Sequence, residues 1–186
     1  MKKLVYQVAS GRVMLEAAQV HDAAAARIHV LLVMGEGGHT KQCLRLVDLL
    51  GTTDYRYSYI LVAEDQVTEA KLRVPGAVYR VVRPGSTKSR LLVRLAKLPL
   101  CTLQSAVAVL RARPDAVLST GPGVAVPICV AAKLLGARII YVESFSRVRR
   151  LSLSGRLLHP LADLFFVQWE ELRPAVPGAV YAGRLY

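Results

Sequence analysis

A histidine follows a run of glycines in Gly35-Glu36-Gly37-Gly38-His39-Thr40, between an apolar stretch that ends at Met34 and a helix-like segment. Glycines at a strand-to-helix turn let the backbone come close to a ligand. The helix start adds N–H groups without intrahelical acceptors and a partial positive charge. A phosphate or diphosphate suits such a site, although glycine at a tight turn also serves sterics alone. The spacing is not the dinucleotide fingerprint, because the third glycine is displaced and His39 stands at the helix start. An imidazole in that turn can contact a phosphate or act as a general base. Its plainer role is a helix-terminal donor.

Ser119-Thr120-Gly121-Pro122-Gly123 repeats the pattern after a second apolar run. Val124 to Leu135 is almost wholly apolar, which predicts a buried helix and puts this loop at the same sheet edge as the first. Tyr141-Val142-Glu143-Ser144 ends a third strand. A carboxylate at a strand's carboxyl end, facing a crevice, is a candidate to bind or deprotonate a sugar hydroxyl. The competing roles for Glu143 are a helix cap or a partner for Arg147 or Arg149.

The elements that must position these residues alternate. Strands are predicted near 28–34, 57–63, 78–82, 116–119, 138–142, 163–167 and 179–181. Helices are predicted near 38–50, 64–72, 88–98, 100–112, 123–136 and 150–159, with a further short one near 169–173. That alternation predicts an α/β fold: one doubly wound, Rossmann-like parallel sheet over 28–186, with ligands at the carboxyl ends of the strands. Residues 1–27 form an extension, and 4–26 read as an alanine-rich helix that lies on a membrane, packs on the domain or is partly disordered.

The net charge is +12, in a chain of 186 residues that is 53% hydrophobic. Lys71 to Arg113 holds 10 Lys and Arg and no Asp or Glu. Such a stretch suits an anionic lipid, an acidic substrate or nucleic acid. No zinc-finger spacing or aromatic RNA-binding signature accompanies it, so no nucleic acid partner is expected. Within it Leu91, Leu92, Leu95 and Leu98 share one helical face and Arg90, Arg94 and Lys97 another, the pattern of a helix lying on an anionic membrane. Pro99 is expected to end that helix, and Leu100, Leu103, Val107 and Leu110 continue an apolar stripe whose usual explanation is packing on the sheet. No apolar run reaches the length of a transmembrane helix. Cys43, Cys101 and Cys129 lack metal-binding spacing and read as buried free thiols.

Taken together, Gly35-Glu36-Gly37-Gly38-His39-Thr40, Ser119 to Cys129, Tyr141-Val142-Glu143-Ser144, Leu151-Ser152-Leu153-Ser154-Gly155, Val167-Gln168-Trp169 and Tyr181-Ala182-Gly183-Arg184 resemble one family. It is the membrane-anchor subunit of the two-chain N-acetylglucosamine transferase of asparagine-linked glycosylation, with bacterial relatives in capsule and exopolysaccharide synthesis. More distantly, the two loops and Glu143 resemble the N-terminal half of the bacterial transferase that makes lipid II. The resemblance implies the N-terminal half of a GT-B glycosyltransferase that recruits its partner to the cytoplasmic face of a membrane. Eukaryotic members carry an N-terminal transmembrane helix, and the lack of an apolar run of that length here leads to the expectation of peripheral attachment. The resemblance also implies a heteromeric, inverting transfer from a UDP-sugar to a sugar on a polyprenyl diphosphate, with no cofactor, no metal and little activity in the lone chain. A second subunit carrying the donor-binding domain is the expected partner, touching Gly183, Arg184, Leu185 and Tyr186. Glu143 and His39 are the expected catalytic residues. Gly35, Gly37, Gly38, Thr40, Gly121, Gly123 and Ser144 are expected around the acceptor diphosphate, and Arg90, Leu91, Leu92, Arg94, Leu95, Lys97 and Leu98 against the membrane. The rival reading is a stand-alone phosphate- or nucleotide-binding protein without catalysis.

Overall fold

The computed structural model describes residues 4–9, 12–17, 27–83 and 91–185, without side chains for 4–17, 91 and 93–95. Its centre is a seven-stranded, all-parallel sheet. Two antiparallel strands precede it, β1 (Leu4–Ala9) and β2 (Arg12–Ala17). The sheet is built from β3 (Ile28–Val33), β4 (Tyr55–Val62), β5 (Ala77–Val81), β6 (Ala116–Ser119), β7 (Arg138–Val142), β8 (Leu164–Val167) and β9 (Val180–Tyr181). The strand order is β5-β4-β3-β6-β7-β8-β9. The helices are α1 (Gly38–Leu50), α2 (Leu91–Ala112), α3 (Ala125–Leu134) and α4 (Leu153–Leu158).

The strands are apolar without strict alternation because both sheet faces are covered. On β3, Val30 and Leu32 join Cys43 and Val47 of α1 in one core. Leu31 and Val33 face the other way, into the core formed with Val109 of α2 and Ile128 of α3. The chain leaves β3 for β4 and β5 on one side, then crosses by α2 to β6 on the other. The order therefore reverses between β3 and β6, and a crevice opens where the two connections part. Both glycine loops lie at that point.

Three expectations need correction. Of the helix expected over 4–26, Leu4–Ala9 and Arg12–Ala17 are strands instead, with Leu4 opposite Ala17, and 10–11 and 18–26 lie outside the described residues. Val5, Tyr6, Val8 and Val13 favour extended backbone and outweigh the alanines there. The helix expected at 64–72 is only a 3-10 turn, Glu69–Lys71. The Asp65 carboxylate takes the amides of Val67 and Thr68 and holds that segment in a turn. The expected helices 88–98 and 100–112 are one over the described residues, Leu91–Ala112, with Pro99 inside it, and 88–90 lie outside those residues. Pro99 is exposed, so the carbonyl that loses its donor can be solvated.

Candidate functional site

Gly35 is where the two glycine loops meet. A β-carbon there would lie 2.8 Å from the β-carbons of both His39 and Pro122. Glycine at 35 is therefore needed for packing. Gly37 has φ of 61°, the left-handed region that favours glycine, and it precedes α1, which no side chain caps. Gly38 and Gly123 have open space on the β-carbon side, so a ligand can approach their backbone. Gly121 combines φ of 98° with a β-carbon position 2.5 Å from the Tyr141 hydroxyl, and it too is required by its surroundings. The Thr40 hydroxyl donates to the Gly35 carbonyl and closes the first loop. Thr40 is buried, so it braces the loop and does not line the opening.

His39 is half-buried, and its Nδ1 lies 2.8 Å from the Thr120 carbonyl oxygen. A carbonyl only accepts, so Nδ1 carries the proton and Nε2 of the neutral ring carries a lone pair. Burial lowers the imidazole pKa below its ordinary value of 6.5, opposed by the Thr120 bond and the Glu143 charge. The ring is therefore neutral at neutral pH. It borders a crevice of about 460 Å³ lined by Gly38, His39, Gln42, Ser144, Phe145 and Ser146. Just outside, Glu36 is held 2.9 Å from Arg83, a cation brought to the loop from beyond β5.

Glu143 does not meet the crevice as expected. It is fully buried. Its carboxylate accepts the Ser144 amide at 2.7 Å, the Ser152 amide at 3.0 Å and the Ser152 hydroxyl at 3.1 Å. Ser152 in turn caps α4 by accepting the Gly155 amide at 2.9 Å. Arg147 and Arg149 are exposed and are not its hydrogen-bond partners. The carboxylate braces the loop from Ser144 to Gly155, which carries the crevice wall Ser144-Phe145-Ser146. Two backbone amides and the Ser152 hydroxyl hold it there.

Of the segment expected to meet a partner, Gly183 adopts φ of 91°, Arg184 lies 3.9 Å from the centre of the Trp169 ring, and the Leu185 amide donates to Gln168. Tyr186 lies outside the described residues. Of the expected membrane face, Arg90 lies outside them too. Leu91, Arg94 and Leu95 belong to α2 with their side chains undescribed, while Leu92, Lys97 and Leu98 are exposed. Cys43, Cys101 and Cys129 are buried and free, with Cys43 and Cys129 pushed by burial to about 11 and about 12. Among the described residues no cluster of His, Cys, Asp and Glu could hold a metal ion, and no helix is long and apolar enough to cross a membrane.

Sequence reasoning did not single out Gln42, Phe145 and Ser146, which line the crevice. Gln42 had one available signal, its place one helical turn beyond Gly38. Phe145 and Ser146 had none, because their position follows from the Glu143 brace.

The chain matches the family described as "Oligosaccharide biosynthesis protein Alg14 like" over residues 30–185. It is 35% identical to the UDP-N-acetylglucosamine transferase subunit ALG14 of Mus musculus, across 89% of this chain and 86% of that one. The subunit of the same name from Schizosaccharomyces pombe is 34% identical, across 83% and 82%. Among solved structures, Acinetobacter baumannii MurG superposes with a TM-score of 0.65 at 20% identity, over 83% of this chain and 45% of that one. The chain thus spans less than half of the MurG chain, and its fold is that of one Rossmann-like half of a GT-B glycosyltransferase. By a family match across nearly the whole sheet and by relatives of the same name at this level of identity, the chain belongs to the Alg14 family.

Proposed function

We propose that the chain is the acceptor-binding and membrane-recruiting subunit of a split glycosyltransferase, working with a second subunit that carries the donor-binding domain. The transfer runs from a UDP-sugar to a sugar on a polyprenyl diphosphate. The relatives' names make UDP-N-acetylglucosamine the donor to test first. The observation that carries the reading is the bond from His39 Nδ1 to the Thr120 carbonyl, which leaves Nε2 unprotonated at the rim of an open crevice.

In this mechanism the acceptor diphosphate sits against Gly37, Gly38 and the start of α1, where no side chain caps the helix and its dipole favours an anion. The acceptor hydroxyl attacks the anomeric carbon as its proton passes to His39 Nε2. The new C–O bond forms as the bond to UDP breaks, the anomeric centre inverts, and the electron pair leaves on the diphosphate. The partner's helix N-terminus would stabilise that leaving group. Glu143 serves as the brace of the crevice wall, while Gly121 and Gly123 shape the second loop.

Membrane recruitment draws support from the outer face of α2. Its inner face buries Cys101, Ala108, Val109 and Ala112. Leu92, Leu100, Leu103, Val107 and Leu110 point the other way, with Leu103 63% exposed. The stripe expected to pack on the sheet is therefore outward. The neighbouring α3 adds Val130 and Leu134, the latter 82% exposed, against the expectation of a wholly buried helix. Lys97, Arg111 and Arg113 flank this surface, which suits a membrane carrying anionic lipid.

The test is a transfer assay of the chain with its donor-binding partner and a prenyl-diphosphate acceptor. His39→Ala should lower kcat by at least about 100-fold, the usual contribution of a general base, while partner binding persists. Full turnover by that variant, or robust turnover by the lone chain, overturns the reading.

A further inference from the structure

Two buried glutamines connect the crevice to the segment that follows β9. The Leu185 amide donates to Gln168 Oε1 at 3.1 Å. That backbone donor identifies the oxygen end of the Gln168 side chain. Its Nε2 then faces the Glu143 carbonyl at 2.9 Å and Oε1 of Gln42. With its oxygen so engaged, Gln42 turns Nε2 to the Gly38 carbonyl at 3.2 Å. Gln42 and Gln168 are 3% and 2% exposed, so neither amide can readily exchange these partners for water. Backbone groups at both ends leave only one orientation for each amide. The polar chain therefore runs in one sense, from Leu185 to the residue beside His39. A second connection runs alongside it. Arg184 covers the Trp169 ring, Trp169 Nε1 donates to the Phe145 carbonyl at 2.6 Å, and the two aromatic rings lie 5.2 Å apart. Gly38, Gln42 and Phe145 all line the crevice.

We infer that Gln168 and Trp169 are positioning residues through which the seating of segment 182–185 sets the geometry of the crevice. If the Leu185 amide withdraws, Gln168 loses its one donor and the reason for its orientation. Its bonds to Gln42 and the Glu143 carbonyl weaken with it. A protein that docks on this segment thereby tunes the site across the sheet edge. The inference rests on the reading of the crevice as the acceptor site, and under that reading the docking protein is the donor-binding subunit.

The experiment compares the full chain with Leu185→Pro, which deletes the amide hydrogen, Leu185→Met, which keeps both the amide and an apolar side chain against the core, Gln168→Leu, and the double variant Leu185→Pro with Gln168→Leu. Amide hydrogen exchange is read at Gly38–Gln42 and Ser144–Ser146, with β3 and β4 as internal controls. Farnesyl diphosphate binding is the second readout. Leu185→Pro and Gln168→Leu should each speed exchange at both crevice segments and weaken the probe about 5- to 10-fold, the scale of one net hydrogen bond. The double variant should be no worse than either single one, because the same connection is already cut. Leu185→Met should leave both readouts near those of the unchanged chain, and β3 and β4 should stay protected throughout. Unchanged exchange at the crevice in both single variants, or losses that multiply in the double variant, would overturn the inference. If the unchanged chain fails to bind farnesyl diphosphate while exchange responds as expected, the acceptor reading falls and the coupling stands.

Discussion

Replacing Glu143 by glutamine separates a structural brace from a catalytic base. The two carboxylate oxygens divide their work. One accepts the Ser144 amide and the other accepts the Ser152 amide and hydroxyl. A glutamine keeps the shape but turns one of these oxygens into a donor. Whichever way it sits, its NH2 meets a buried backbone N–H. One such group left unpaired costs about 1–3 kcal/mol. In a chain of this size each kcal/mol moves Tm by about 2–4 °C, so Glu143→Gln should lower Tm by roughly 2–12 °C. Glu143→Ala strands both amides and leaves a void, and its loss should be about twice as large. Thermal unfolding followed by circular dichroism measures the shift, and amide exchange at Ser144 and Ser152 locates it. Any loss of turnover should accompany the loosened loop. A Tm within about 1 °C of the unchanged chain, together with abolished turnover, would refute the brace and return the carboxylate to the chemistry.

Gly155→Ala should destabilise through the same residue, because its β-carbon would lie 2.1 Å from Glu143 Oε2. Overpacking on this scale costs about 1–3 kcal/mol, read as a lower urea midpoint. His39 makes a pH prediction: kcat/KM should fall as pH drops through a pKa below 6.5, and His39→Ala should abolish that limb. Stability carries the same sign. With the folded pKa below the unfolded one, the unfolded chain binds the extra proton, so this residue's contribution weakens as pH falls from about 6.5 toward the folded pKa and is unchanged above it. Urea unfolding across that window, with and without His39→Ala, measures the difference. Leu103→Ser with Val107→Ser and Leu110→Ser should reduce sedimentation with anionic liposomes by at least about tenfold at nearly constant Tm, since each side chain is exposed. Unchanged sedimentation would assign that face to another use.

Much of this architecture is legible in the linear order of residues. The β6 and β7 ranges fall where apolar runs predict them, and α1 begins at Gly38 as the glycine loop requires. The failures share a cause. Pro99 marks a helix end by local rule, yet its exposure on a helix anchored by Cys101, Ser105 and Val109 lets the chain continue through it. Residues 4–17 carry alanines that favour a helix and β-branched residues that favour a strand, and pairing between the two strands decides between them.

Local chemistry dictated the alternating elements, the two glycine loops and the histidine in the first turn of α1. Each depends on neighbours within a few residues, where periodicity and backbone sterics act. Tertiary packing alone turned the Glu143 carboxylate inward, set Leu92, Leu100, Leu103 and Leu110 of α2 outward and chose the His39 tautomer through a carbonyl 81 residues away. It also joined Gln42 to Gln168 across 126 residues. Buried polar groups must find partners wherever the folded chain supplies them, and that choice is not written in the spacing of a sequence.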